Sequence, residues 1–136
     1  MHGHDLATAA SGLAGCPFRL HGRDPATGLD CIGLLAAALA KMGCWVDFPT
    51  GYRVRTGSFA GLAAAARQHG FEPVSETITA GDVLFVAPGP SQMHLIIAAP
   101  REGHFIEAHA GIGRVVIRPG PLRDPIIQHW RLTAPA

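Results

Sequence analysis

The sequence predicts an α+β domain in which helices come first and pack on an antiparallel sheet that follows them. Three observations carry that prediction. Alanine- and leucine-rich segments fill the first half of the chain, up to about His69. Beyond Phe71, short runs of β-branched and aromatic residues are separated by Gly, Pro, Asp and Ser, the pattern of a strand meander. The 136 residues, 48% apolar and 15% charged, are enough for one buried core with little room for a second, so residues 1–136 read as a single domain.

In chain order, Asp5 to Ala14 reads as a short helix, with Asp5 placed to cap its start and Gly15 to end it. Cys16 to Gly28 contains two prolines and two glycines and reads as an ordered loop. Leu29 to Met42 is apolar around nearly the whole helical circumference, which predicts a helix buried on most sides and stopped by Gly43. Trp45 to Arg55, with Pro49, Gly51 and Tyr52, reads as an irregular excursion, after which Ser58 caps a second alanine-rich helix running to about His69. Strands are predicted at Val83–Val86, His94–Ile97, His104–Ala108 and Arg114–Arg118, with one more over Ile126–Leu132.

Composition removes several functions. A formal net charge of +1, with no run of Lys or Arg, gives no broad field for holding nucleic acid or an anionic membrane. Met1 to Asp5 is not a basic region leading into a sustained apolar one, and no stretch approaches 18 apolar residues, so neither a signal peptide nor membrane insertion is expected. Cys16, Cys31 and Cys44 are an odd set without Cys-x-x-Cys spacing, which points to free thiols. No cofactor is expected. His2 and His4 form a His-x-His pair without a supporting carboxylate cluster, and Gly111-Ile112-Gly113 lacks the third glycine and following helix of a nucleotide fingerprint.

The stretch with chemical promise is Gly28-Leu29-Asp30-Cys31-Ile32-Gly33, where a turn becomes an apolar helix. A thiol acts as nucleophile only as thiolate, and free N–H groups and the dipole at a helix start favour that anion. The same N–H groups can hold an oxyanion. Cys16, in a loop before a proline, and Cys44, beyond a helix end, lack such a setting and are expected to be structural. A cysteine nucleophile needs an imidazole base. Of eight histidines, His94 opens an apolar strand after a Gly/Pro/Ser turn, at a sheet edge facing a cleft. His2 and His4 are expected in a frayed end, and His69 and His129 in solvated or packed roles. Glu107 and His109, two apart on one strand face, both qualify as the group that orients the base.

These residues resemble the NlpC-type cysteine peptidases, papain-like enzymes that mostly cleave peptide bonds in bacterial peptidoglycan. The resemblance lies in Gly15-Cys-Pro-Phe-Arg19, Gly28-Leu-Asp-Cys-Ile-Gly-Leu34, Gly81-Asp-Val-Leu-Phe85, His94-Leu-Ile-Ile97 and Phe105-Ile-Glu-Ala108, in the family's order. It implies a papain-like fold with Cys31 as nucleophile, His94 as base and Glu107 or His109 as third group, and Asp30 and Phe18 as support for the loop and oxyanion site. The family's usual Tyr is Phe18 here, and the Ser that usually follows the cysteine is Ile32. Arg19, His21 and Arg23 stand in the preceding loop as candidate contacts for a substrate carboxylate. Phe18 to Cys31 is similar to the branch encoded with phage tails and gene-transfer-agent particles, which implies tail proteins as partners, cytoplasmic synthesis and incorporation into a particle. The expected reaction is amide hydrolysis of a peptidoglycan peptide. Its rivals are an amidase of the related cysteine-histidine group, cutting between glycan and peptide, and a catalytically silent tail-tip subunit.

Overall fold

The computed structural model describes residues 2–48, 60–90 and 92–133. Helix α1 (His2–Ser11) is followed by a two-stranded hairpin, β1 (Arg23–Asp24) and β2 (Gly28–Leu29), that runs straight into α2 (Cys31–Lys41). Helix α3 (Ala60–Gln68) precedes β3 (Phe71–Pro73), β4 (Val83–Val86), β5 (His94–Ala98), β6 (His104–His109), β7 (Arg114–Pro119) and β8 (Ile126–Leu132). These six strands form one antiparallel sheet in the order β3-β8-β4-β5-β6-β7. The α+β expectation and its helices-first layout hold.

Core residues explain the strand composition. Leu6, Ala10, Leu34 and Leu39 from the helices pack with Val83, Leu95, Ile97, Ile106 and Trp130 on one sheet face. A smaller cluster of Leu84, Val86, Ile96, Ala98 and Phe105, joined by Ile78 and Leu122, covers part of the other. Strand β4 is therefore buried at all four positions, and its unbroken apolar run follows from having both faces covered.

Several boundaries differ from expectation. Helix α1 starts at His2, so His2 and His4 are helical instead of frayed, and Asp5 sits inside the first turn, where a carboxylate still suits the dipole. Helix α2 starts at Cys31 and not at Leu29, because Gly28 and Leu29 pair with Asp24 and Arg23 while Asp30 is extended. The Ser58 cap and residues 49–55 of the excursion lie outside the described residues. Strand β3 was not expected: three residues ending in proline carry little signal, and pairing of Phe71 and Glu72 with Leu132 and Arg131 makes the strand. His94 begins an interior strand; it lies at the end of β5, not on an edge of the sheet.

A polar knot ties the middle of the sheet to β8. Asp82, fully buried just before β4, accepts hydrogen bonds from His129 Nε2 (2.7 Å), Arg131 Nε (2.9 Å) and the Thr79 N–H (2.9 Å). Burial alone would raise its carboxyl, but Arg131, Thr79 and His129 hold it below the usual range. Arg131 also reaches Glu76 (3.0 Å) and the Thr77 carbonyl (2.9 Å). Of the solvated and packed roles open to it, His129 thus takes the packed one.

Candidate active site

Asp30 fixes where the catalytic-looking cysteine stands. Its extended backbone (φ −96°, ψ −169°) ends the hairpin, and its side chain caps α2 by accepting the Gly33 N–H at 2.8 Å. The second carboxylate oxygen accepts the His21 N–H at 2.9 Å, and Arg23 Nη1 lies 3.8 Å away. One buried carboxylate therefore joins helix to loop. The joint has no room for side chains: a Cβ on Gly33 would collide with the Gly22 carbonyl, and one on Gly22 with the Gly28 carbonyl. His21 takes φ +60°, a left-handed conformation that non-glycine residues rarely adopt, and Asp30 is bonded to the N–H of that same residue. On its other side the loop pairs with β7, since Gly15 N–H donates to Val115, Val115 N–H to Cys16 and Phe18 N–H to Gly113.

Cys31 becomes the first helical residue, 6% exposed, in the wall of a cleft of about 390 Å³. His94, Glu107 and His109 line the same cleft, with Phe18, Leu20, Asp30 and Arg118. His94 Nε2 donates to Glu107 Oε1 at 3.2 Å, and Glu107 Oε2 faces Arg118 Nη1 at 3.6 Å. The His94 side chain is 24% exposed. Burial works against its charge, but hydrogen bonds to Cys31 and Glu107 outweigh this and raise the imidazole from 6.5 to about 9. Glu107 is held below the usual carboxylate range, first by its bond to His94 and then, against burial, by the charges of His94 and Arg118. The run Cys31–His94–Glu107 brings together a helix start, a strand start and a neighbouring strand.

His109 is used differently. Its Nδ1 accepts the Ile112 N–H at 3.0 Å, and its carbonyl accepts the Gly113 N–H at 2.8 Å, so it closes the β6–β7 turn. Arg19, His21 and Arg23 are not among the residues lining the cleft; their neighbours Phe18 and Leu20 are. Arg23 turns back towards Asp30, and the backbone of His21 serves the same carboxylate. Sequence reasoning passed over Leu20 and Arg118, and only the alternation of Arg118 with buried Val115 on β7 hinted at its orientation.

The three cysteines are free. Cys44 is buried, which pushes its thiol up, and it lies 3.7 Å from His69 Nδ1, well apart from the cleft lining. Among the described residues no group of three or more His, Cys, Asp or Glu is placed to hold a metal ion. No helix among them is long and apolar enough to cross a membrane.

This arrangement of thiol, imidazole and carboxylate coincides with the family assignment: residues 15–131 match the NlpC/P60 family, and the chain belongs to it. Solved structures of similar fold include NlpC1 from Trichomonas vaginalis, with a TM-score of 0.69 and 18% identity over 96% of this chain and 45% of that one. RipB from Mycobacterium tuberculosis aligns with a TM-score of 0.64 and 21% identity over 97% of this chain and 65% of its own. The NlpC/p60 domain of SagA gives 0.57 and 25% identity over 88% and 90%. The chain spans less than half the length of NlpC1 and of NlpC2 from the same organism. No curated protein matches the chain.

Proposed function

We propose that the chain is a cysteine peptidase that hydrolyses an amide bond in the peptide part of bacterial peptidoglycan. The observation that carries this is the lining of one cleft by Cys31, His94 and Glu107, with His94 bonded to Glu107 at 3.2 Å. Family membership supports it, as do the names of two proteins of similar fold, RipB and SagA, each described as a peptidoglycan hydrolase. With Nε2 committed to Glu107, Nδ1 is the His94 nitrogen left for the sulfur. Cys31 as thiolate attacks the carbonyl carbon, and its own N–H and neighbouring ones at the α2 start receive the oxyanion. Protonated His94 gives its proton to the leaving amine, and the C–N bond breaks to leave a thioester. Water then attacks, His94 takes its proton, and the acid and free thiolate are released. Glu107 positions the ring and supports its positive charge.

The resemblance of Phe18 to Cys31 to the phage-tail and gene-transfer-agent branch supports a particle tail as the setting, with tail proteins as partners. Particles separated on a density gradient should carry the chain, and its absence from them removes that setting.

Digestion of purified sacculi tests the chemistry. Cys31→Ser should lower product release by roughly three orders of magnitude or more while leaving the fold intact. Masses of the products identify the bond: shortened stem peptides are expected, whereas a freed lactyl group on the sugar means an amidase. If a thiol probe labels the wild type no faster than Cys31→Ser and neither digests sacculi above background, the hydrolase fails and the structural tail subunit is left.

A further inference from the structure

His109 ends β6 on the wall of the cleft, two residues beyond Glu107 and on the same strand face. An imidazole nitrogen that accepts an N–H bond carries no proton, so the bond from Ile112 to Nδ1 places the proton of the neutral ring on Nε2. Gly111 lies against the same edge of the ring, where a Cβ would stand 3.1 Å from His109 Cε1 and 3.4 Å from Nδ1. Nε2 is then the polar atom the ring has left for the cleft, and among the described residues no acceptor meets it. We propose that His109 is a substrate-binding residue whose Nε2–H donates to a carbonyl or carboxylate oxygen of the bound peptide beside the scissile bond. This rests on the peptidase reading given above, and it removes His109 from competition with Glu107 for the role behind His94.

The two halves of the ring can be removed separately. His109→Asn keeps an oxygen where Nδ1 meets Ile112 but has nothing at Nε2, whereas His109→Gln keeps an N–H donor near Nε2 and loses the turn acceptor. Binding of a purified disaccharide-tetrapeptide is measured by calorimetry in a Cys31→Ala background, which prevents turnover. His109→Asn should raise Kd about fivefold, the worth of one net hydrogen bond, with an unchanged melting temperature. His109→Gln should bind within about twofold of its parent and melt at lower temperature. With Cys31 intact, neither substitution should alter the rate of alkylation by iodoacetamide. Unchanged Kd in His109→Asn, no binding by the parent, or slowed alkylation would each overturn the inference; the last would return His109 to the nucleophile's own machinery. Cleavage of sacculi by the wild type separates the two proposals. No cleavage with a Kd sensitive to His109→Asn removes the peptidase alone, and cleavage with an insensitive Kd removes the donor alone.

Discussion

At the scale of residues, the His94 imidazole is set by its neighbours more than by its exposure. Its value of about 9 lies above the ordinary 6.5, so the protonated ring contributes its full stabilisation below about pH 6.5 and loses it as pH rises through 9. In the proposed reaction the same proton is given to the leaving amine, so kcat/KM should fall on the alkaline side with an apparent pKa near 9. Glu107→Gln removes one of the two partners that raise the ring; the alkaline limb should move below 9 and kcat/KM should drop by about tenfold, read from the pH–rate profile. Cys31→Ala removes the other, and an NMR titration of His94 in that variant should give a value below the wild type's. That Cys31 and His94 stand at the starts of a helix and a strand was legible in the sequence, and the fold brings both to one cleft. Glu107 and His109 were not separable there, since strand alternation puts both on one face; what separates them is that a backbone N–H from Ile112 has taken one nitrogen of His109.

At the scale of elements, one carboxylate decides where α2 begins. Removing it by Asp30→Ala loses the cap and the bond from the His21 N–H, and should cost about 2 kcal/mol, a fall of roughly 8 °C in a melting curve. Gly33→Ala should be worse for function than its helix propensity suggests, because the new methyl meets the Gly22 carbonyl; slower alkylation of Cys31 by iodoacetamide is the expected sign. Apolar periodicity marked α2 correctly but set its start two residues early. Leu29 fits the helical pattern and also pairs with Arg23, and the pairing wins once Asp30 is extended to cap. Neither the close approach of Gly22, Gly28 and Gly33 nor the short β3 leaves a local signature, because each depends on chain segments brought together by the fold.

For the whole molecule, the helices-then-strands order was readable, while the Asp82 knot was not: its partners His129 and Arg131 are 47 and 49 residues away. The sequence left His129 a solvated or packed role and did not link it to Asp82. Asp82→Ala would leave the half-buried His129 and Arg131 without their shared acceptor, and should cost about 2 kcal/mol in a urea titration, the loss of hydrogen bonds to a charged group. Since this carboxyl is held below its usual range, its contribution is present above the unfolded value near pH 3.9 and fades as pH falls through the lower folded one. Acid should therefore loosen the β3–β8–β4 side through Asp82, whereas alkali acts at the cleft through His94.

The hairpin before Cys31 has a use for anyone who wishes to retarget the proposed activity. Residues 15–23 are sewn to β7 on one side and to Asp30 on the other, so lengthening them would drag the thiol out of line. The tip is different: Pro25, Ala26 and Thr27 are exposed, and the turn is closed locally by Asp24, which accepts from the N–H groups of Ala26 and Thr27. A wall-binding peptide inserted after Ala26 should leave Cys31 alkylation at the parental rate, whereas the same insert after Arg19 should abolish it. That gives the chain a grafting port a few residues from its own chemistry.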